Sequence, residues 1–339
     1  MEPVGVGLIG YGLGGRAFHA PYVEATPGLA LRAVVSRDPA KVHADRPGVA
    51  VVPSVEALLA NPAIDLVIVS SPDDHHAEHA LAALGAGRHV VVDKPFATTL
   101  DDARDIAKAA ERAGRLLTVF HNRRWDADFL TLQRLIGEGA LGEVVEFESR
   151  FDRWRPVPAA VWKEARPGGS WLDLGPHLVD QALVLFGRPE AITADLAGLR
   201  DGAPAPDWFH AVLRYPERRV LLHSSKLCAA NTLRLAVHGT RGSWIKHGVD
   251  TQEAATVAGH PPGGPDWGCD PVEGLLTCSA EPAVTVANER GDYLGFWKAL
   301  AAAVHGEGPN PVSAAEALAV MEVLDAGLRS AELRREVVL

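Results

Sequence analysis

Two side chains in this sequence have the chemistry that interconversion of an alcohol and a ketone requires. Such a reaction needs a base that titrates near neutral pH to take the hydroxyl proton, and a cation that lowers the cost of the developing alkoxide. His177 and Lys94 are suited to these roles, and Lys94 directly follows the apolar run HVVVD. That position predicts the carboxyl end of a parallel strand, where such sheets bind ligands. The alternative for Lys94 is a solvated ion pair with Asp93.

The segment GGSWLDLGPHLVD places further polar groups near His177. Asp173 lies four residues before His177 and Asp180 three residues after it, so a continuous helix would present all three on one face. Pro176, however, suits the first turn of a helix, which predicts that the regular helix begins near His177. Asp173 would then be a cap or turn residue ahead of the helix.

A glycine-rich turn follows the first predicted strand, at residues 4–9. Gly10, Gly12 and Gly15 form a GxGxxG pattern with Leu13 inside it, and a helix is expected after it. Gly10 permits a tight turn, Gly12 lets the backbone approach a pyrophosphate, and Gly15 allows close packing of helix on strand. The pattern predicts a dinucleotide site with the phosphates at the start of the helix. A glycine turn required for packing alone is the alternative.

The end of the second predicted strand bears on the choice of cofactor. NAD-selective sites usually place a carboxylate there to bind the ribose 2′-hydroxyl. The sequence LRAVVSRDPAK has Ser36 at this position, followed by Arg37. A hydroxyl and a guanidinium can both bind a 2′-phosphate, so the pattern favours NADP, with NAD as a second possible cofactor. We expect Asp38 to point elsewhere or to cap the turn at Pro39. Arg37 could instead be a solvated loop cation.

The first 120 residues alternate β-branched runs with alanine-rich stretches, which is typical of βαβ units around a parallel sheet. We therefore predict an α/β Rossmann domain, with a doubly wound parallel sheet, over residues 1–122. A capping box from Thr99 to Asp102 should begin its last helix. Strands are expected at 4–9, 31–36, 64–70, 89–92 and 116–120, and helices at 15–25, 54–60, 74–85 and 99–113.

Residues 123–339 lack this alternation and predict a C-terminal α+β domain with a large, mainly antiparallel open sheet. This domain is expected to bind substrate and to mediate oligomerisation, because an uncovered apolar sheet face would be buried in a homodimer or homotetramer. We predict a helix at 126–136, strands at 143–151, 209–215, 220–224 and 233–238, a loop at 258–268, and two final helices, the second capped at Ser313 to Glu316.

Four segments together resemble the glucose-fructose oxidoreductase and inositol dehydrogenase family (Gfo/Idh/MocA) over essentially the whole chain. They are Asp93 to Pro95, Ser70 to His76, His121 to Trp125 and Gly168 to Asp180. Within the family, the stretches HNRRWDADFLTLQRLI, GPHLVDQALVLFG and HGTRGSWIKHGVD are most similar to the NADP-dependent scyllo-inositol 2-dehydrogenases. The chain has Asp93 where the family more often has glutamate, and Asp73 where many members have asparagine.

The resemblance implies a role for each residue that matches a family position. It makes His177 the catalytic acid and base, Lys94 its electrostatic and proton-relay partner, and Asp173 the group that orients them. For His76, a surface histidine at a helix start is the alternative. Beyond the glycine turn, Ser36 and Arg37, the cofactor is expected to contact Ser71, Pro72, His76, Asp93, Lys94 and Asn122. The substrate is expected to contact Lys94, Asn122, Trp125, Arg155, Asp173, His177 and Asp180, although Trp125 and Arg155 could equally pack at a domain interface.

The implied activity is NADP-dependent oxidation of a secondary hydroxyl of a cyclic polyol or sugar, reversibly converting scyllo-inositol to inosose. Two alternatives remain. One is a sugar oxidation and elimination on tightly held NAD with no net redox change. The other is a non-catalytic cofactor sensor, for which Lys94, Asp173 and His177 would be unnecessary.

Composition limits the other partners of this 339-residue chain. Its formal net charge of −10, without a long run of Lys or Arg, argues against nucleic acid. No apolar stretch reaches the roughly 18 residues of a membrane span, and the N-terminus has no signal-peptide pattern, so a cytoplasmic location is expected. Three cysteines without CxxC spacing predict neither disulfides nor a zinc site. His75 and His79 have no evident third ligand, so no metal is expected.

Overall fold

The computed structural model describes residues 2–159, 162–230, 233–278 and 282–339. The chain forms two compact units, each built from separate stretches of sequence. The first comprises Met1–Trp125, Gln252–Trp267 and Asp292–Leu318, and the second comprises Asp126–Thr251, Gly268–Gly291 and Ala319–Leu339.

Two segments from the region 123–339 thus fold with the first unit, and Gln252 shows the physical reason. Its side-chain amide donates to the carbonyl of Trp125 at 3.0 Å, and its amide oxygen accepts from the main-chain N–H of Tyr293 at 2.7 Å. These contacts join three stretches that are distant in sequence. The predicted boundary at residue 122 lies near Trp125, where the first stretch of this unit ends.

The core of the first unit is a parallel sheet of six strands. They are β1 (Val4–Ile9), β2 (Leu29–Val35), β3 (Ala50–Val52), β4 (Leu66–Val69), β5 (His89–Val92) and β6 (Leu117–Val119). Their order is β3-β2-β1-β4-β5-β6, with every pairing parallel. All residues of β1 and β4 are buried, as expected for strands covered on both faces. The predicted Rossmann fold is confirmed. Its strand order reverses beside β1, where such sheets bind ligands.

The helices of the first unit begin directly after the glycine turn. A π-helical stretch, Gly14–His19, continues as α1 (Ala20–Ala25). Further helices are α2 (Pro39–Asp45), α3 (Val55–Leu59), α4 (His76–Gly85), α5 (Leu100–Ala113), and, from later in the chain, α8 (Gln252–Val257) and α9 (Tyr293–Val304). Short 3-10 turns form at Asp73–His75 and Asn122–Trp125. Neither α2 nor β3 was predicted from the sequence, because both are too short to show a clear hydrophobic period.

The second unit contains a sheet of nine described strands. They are β7 (Val144–Arg150), β8 (Ala191–Ala197), β9 (Trp208–Arg214), β10 (Arg219–Ser225), β11 (Leu233–Gly239), β12 (Gly242–His247), β13 (Gly274–Cys278), β14 (Val284–Val286) and β15 (Val337–Val338). The order is β14-β13-β12-β11-β7-β10-β9-β8-β15. Among the described strands of this sheet, only the β7–β10 pairing is parallel, which confirms an α+β domain with a mainly antiparallel sheet.

Helices α6 (Ala127–Gly137) and α7 (Gly169–Phe186) belong to the second unit, and α10 (Ala314–Leu333) runs from the first unit into the second. A 3-10 turn forms at Trp162–Ala165. Helix α7 packs on the sheet through Trp171, whose ring meets Phe209 edge-on at 5.1 Å. The indole N–H of Trp171 donates to the carbonyl of Leu324 at 2.9 Å.

The prediction that the regular helix begins near His177 is wrong, because α7 begins at Gly169 and contains Pro176 in its interior. Proline has no N–H, so the carbonyl of Leu172 loses its helical partner, at a cost of about 3 kcal/mol. Burial of the large side chains Trp171, Leu172 and Leu174 offsets this cost, since each contributes roughly 1.5–3 kcal/mol.

Candidate active site

The glycine turn lies between β1 and the first helix of its unit. Gly10 has a φ of +96°, and a Cβ on it would lie 2.6 Å from the carbonyl oxygen of Ser70. A Cβ on Gly15 would lie 2.1 Å from the carbonyl oxygen of Gly10. A Cβ on Gly12, in contrast, would meet no described atom within 4 Å. Packing therefore requires glycine at Gly10 and Gly15 but not at Gly12, where the open space leaves room for a ligand.

The helix that follows this turn supplies main-chain donors. Leu13 precedes its first residue, Gly14, and is 56% exposed. The first N–H groups of a helix have no partners within the helix and attract anions. A Cβ on Gly14 would lie 2.6 Å from Ser70 Oγ and 2.9 Å from Asp93 Oδ2, so the turn closely approaches the ends of β4 and β5.

Asp93, at the end of β5, accepts hydrogen bonds from three directions. Oδ2 accepts from His19 Nε2 at 3.1 Å and from Ser70 Oγ at 3.2 Å, and Oδ1 accepts from the main-chain N–H of Lys94 at 2.8 Å. Burial raises the pKa of Asp93, but the hydrogen bond from His19 and the positive charges nearby outweigh it and hold this pKa well below its usual value. Asp93 is therefore a carboxylate at neutral pH.

His76 is buried, which rules out the surface histidine that the sequence allowed. Only 2% of it is exposed, its Nδ1 lies 2.9 Å from the carbonyl oxygen of Pro95, and its Nε2 lies 3.0 Å from that of Ser71. Burial lowers the pKa of His76, against the opposing effects of the Asp93 carboxylate and the two carbonyls. The ring connects the start of α4 to the segment after Lys94, where the Lys94–Pro95 peptide is cis.

The end of β2 has internal contacts that bear on its predicted role. Ser36 Oγ donates to the carbonyl of Asp38 and accepts from the N–H of Asp38, both at 3.1 Å. Asp38 accepts from the N–H of Lys41 at 3.1 Å and caps α2, where the sequence had predicted a capped turn and no helix. One oxygen of its carboxylate therefore accepts a hydrogen bond in the first turn of α2. Arg37 is exposed beside them.

Two arginines follow β6, and both form ion pairs within the first unit. Asn122 is buried at the start of a 3-10 turn. Arg123 donates to Glu253 and to the hydroxyl of Tyr293, and Arg124 donates to Glu316 at 2.7 Å. The ring of Trp125 packs edge-on against Phe296 at 5.7 Å. Trp125 therefore packs within the first unit. Contact between Trp125 and the substrate stays a prediction.

In the second unit, α7 carries Asp173, His177 and Asp180 on successive turns. The three residues share one helix, so the alternative of Asp173 as a cap residue is excluded. Asp173 Oδ1 accepts from Arg166 Nη1 at 3.4 Å, while His177 and Asp180 are buried. The arrangement places a carboxylate and an imidazole four residues apart, with a guanidinium fixing the carboxylate.

Buried polar residues that contact α7 were not predicted from the sequence. Gln181 accepts from Arg234 at 2.9 Å, and Arg234 forms a fully buried ion pair with Asp128 at 3.0 Å. Their positions lie far apart in the chain, and no local pattern connects them. Arg155, a predicted substrate residue, is exposed and is held in place by its main chain, which donates to the carbonyl of Lys226 at 2.8 Å.

Glu78 supplies the third potential metal ligand that the sequence analysis did not identify. The ligand atoms of His75, Glu78 and His79 lie within 4.8 Å of one another at the exposed start of α4. His79 also forms a 2.9 Å hydrogen bond with Ser71 Oγ. Exposed groups of this kind are common on helix surfaces, and the alcohol chemistry above needs no metal.

Comparison with known proteins covers both halves of the chain. Residues 4–121 match a family model described as an oxidoreductase family with an NAD-binding Rossmann fold, and residues 133–339 match the C-terminal alpha/beta domain of the same family, GFO_IDH_MocA. Within the described residues, no helix has the length and apolar character needed to cross a membrane.

Several relatives extend over the whole chain. The uncharacterised oxidoreductase YdgJ of Escherichia coli is 49% identical over 98% of each chain. The scyllo-inositol 2-dehydrogenase (NADP(+)) IolW of Bacillus subtilis is 36% identical over 100% of this chain and 97% of its own. The solved structure of an oxidoreductase from Yersinia pestis is 48% identical, with a TM-score of 0.97 over 100% of this chain and 97% of that one.

Proposed function

The chain belongs to the Gfo/Idh/MocA oxidoreductase family, and on this premise we propose that it is an NADP-dependent dehydrogenase that oxidises a secondary hydroxyl of a cyclic polyol or sugar. The leading substrate is scyllo-inositol, converted reversibly to inosose. The single observation that carries this choice is the full-length similarity to the Bacillus subtilis enzyme named for that reaction and cofactor.

The residues of the first unit fit a dinucleotide. The open space at Gly12 and the main-chain donors after Leu13 would hold the pyrophosphate. Arg37 would pair with the 2′-phosphate, while Oδ1 of Asp38 accepts from the main-chain N–H of Lys41 at the start of α2. We assign Gly10, Gly12, Leu13, Gly15, Ser36, Arg37, Ser71, Pro72, His76, Asp93, Lys94 and Asn122 to this site.

In the proposed mechanism the bound nicotinamide supplies the acceptor for a hydride from the substrate carbon. His177 takes the proton of the hydroxyl at its imidazole, and Lys94 stabilises the negative charge that develops on the oxygen. Asp173, which accepts a hydrogen bond from Arg166, orients His177 and Lys94. Asn122, Trp125, Arg155 and Asp180 are assigned to substrate binding. In the reverse direction His177 returns the proton.

Two further assignments accompany the proposal. A cytoplasmic location would supply NADP and reducing conditions for the three cysteines, which are free. The partner is a small molecule, and we propose that the chain works as a homodimer or homotetramer.

The test is an initial-rate screen of inositols, aldoses and the corresponding ketones with NADP(H) and NAD(H). We expect oxidation of scyllo-inositol or a related cyclic polyol, with one NADPH formed per ketone. At alkaline pH the equilibrium should shift towards the ketone, because oxidation releases a proton. Activity confined to open-chain or aromatic carbonyls would remove the inositol assignment. Product formation without net NADPH would favour oxidation and elimination instead.

A further inference from the structure

His19 is a fully buried histidine that the proposed mechanism does not use. It ends the π-helical stretch that starts at the glycine turn. Its ring is tilted against that of Phe120, with ring centroids 4.7 Å apart, and meets the ring of Trp297 edge-on, with centroids 5.7 Å apart. These contacts hold the imidazole in one orientation. A histidine that served only as packing would leave both ring nitrogens among apolar groups, yet His19 Nε2 faces a carboxylate.

The hydrogen bond from His19 to Asp93 has a fixed direction. A carboxylate only accepts, so His19 Nε2 carries the proton and donates to Asp93 Oδ2 at 3.1 Å. Nδ1 of His19 has no hydrogen-bond partner among the described residues. Among the described residues, the imidazole therefore forms one hydrogen bond, to Asp93.

Asp93 in turn contacts the main chain of Lys94, the next residue. Its second oxygen accepts from the main-chain N–H of Lys94 at 2.8 Å, and the carbonyl oxygen of Pro95, the residue after Lys94, lies 2.9 Å from His76 Nδ1. The main chain is thus held on both sides of the residue whose side chain is assigned to the reacting oxygen.

We propose that His19 is a positioning residue, which fixes the Asp93 carboxylate so that Asp93 fixes the main chain at Lys94. The role of Lys94 in turnover rests on the proposed function. The helix that ends at His19 begins at the glycine turn, so one element contributes both to the proposed pyrophosphate site and to the placement of Lys94. Occupation of the turn by cofactor should therefore stabilise the Lys94 segment.

The activity test compares His19→Leu with His19→Gln. Leucine fills the space without a donor, whereas glutamine keeps an N–H near the position of Nε2. We expect His19→Leu to lower kcat by about tenfold or more, the scale of one lost hydrogen bond to a charged group. Its KM for NADP should change by less than about threefold, and His19→Gln should recover most of kcat. Normal kcat in the leucine variant, or an equal loss in both variants, would overturn the proposal.

A second measurement does not depend on turnover. Hydrogen exchange of the Lys94 amide should be about tenfold faster in His19→Leu than in the wild type or His19→Gln, because its acceptor is no longer fixed. The control is Thr118→Val, which changes a buried hydroxyl of β6 that has no hydrogen-bond partner among the described residues. If exchange in His19→Leu is unchanged, His19 does not act on Lys94.

The two measurements distinguish failure of the proposed function from failure of the positioning role of His19. If the wild-type enzyme turns over no polyol or sugar, the proposed function fails, and the exchange experiment still decides the role of His19 in holding Lys94. If turnover is normal and exchange is unaffected by His19→Leu, only the positioning role is lost.

Discussion

At the scale of single residues, Lys94 and His177 can be tested by removing their side chains. Lys94→Ala and His177→Ala should each lower kcat by roughly a hundredfold or more, because each removes acid/base or oxyanion-stabilising help. The affinity for NADP should change less. The double variant should be far from additive if both groups act on one hydroxyl. Initial rates and fluorescence titration of NADPH provide the measurements, and near-normal turnover in both folded single variants would eliminate this catalytic assignment.

The proposed preference for NADP can be tested at Ser36 and Arg37. The combined change Ser36→Asp and Arg37→Ala should weaken NADP binding by about tenfold or more, since it removes a charge-assisted contact and adds a carboxylate. NAD binding should suffer much less. Arg37→Ala alone should produce most of the effect, because the Ser36 hydroxyl already donates to the carbonyl of Asp38. A wild-type kcat/KM that is higher for NAD than for NADP would contradict this assignment.

At the scale of elements, the start of α5 depends on its cap. Thr99 Oγ1 accepts from the N–H of Asp102 at 3.1 Å, which confirms that Thr99 caps the helix. Thr99→Ala should lower the free energy of unfolding by about 1 kcal/mol. Thr98→Ala, at an exposed neighbouring position, is the matched control. Urea denaturation of both variants makes the comparison, and equal stabilities would show that the cap contributes nothing.

The loop that leads into β6 contains a hydrogen bond that requires an unprotonated histidine. The N–H of Leu116 donates to His89 Nδ1 at 2.9 Å. Burial lowers the pKa of His89, with a further lowering by Arg115, while Asp65 opposes both. Below about pH 6.5 the unfolded chain therefore binds more protons at this residue than the folded chain. The free energy of unfolding should fall as the pH falls through this range.

An asparagine at this position tests that linkage. His89→Asn keeps an oxygen that can accept from Leu116 and does not titrate. The loss of stability between pH 7.5 and pH 5.5 should be smaller in His89→Asn. The difference should remain below the roughly 1.4 kcal/mol per pH unit that one fully linked proton contributes, because His89 is partly exposed. Urea denaturation at both pH values measures it, and identical pH dependence would refute the role of His89.

At the scale of the whole molecule, the large sheet predicts self-association. Val212 of β9 and Leu221 of β10 are paired across strands and are only half-buried, and they alternate with fully buried residues on the opposite face. Light scattering should give at least twice the mass of one chain. Val212→Asp should reduce that mass, whereas Leu81→Asp, at an exposed position on α4, should not. A monomeric wild type would exclude this assembly.

The sequence by itself determined the features that depend on neighbours in the chain. The hydrophobic runs predicted β1 and β5 at their observed bounds, and Thr99 and Ser313 marked two helix starts, because strand periodicity and capping act over a few residues. The glycine pattern likewise predicted a turn in which Gly10 and Gly15 are sterically required.

Only the tertiary structure decided which distant residues meet. His19 and Asp93 are 74 residues apart, and they pair because β1 and β4 bring the glycine helix beside the end of β5. Helix α7 continues through Pro176 because burial of its apolar side chains outweighs the local cost of proline. Residues 252–267 join the first unit through the hydrogen bonds of Gln252. Each of these outcomes depends on the free energy of long-range packing, which no short stretch of sequence contains.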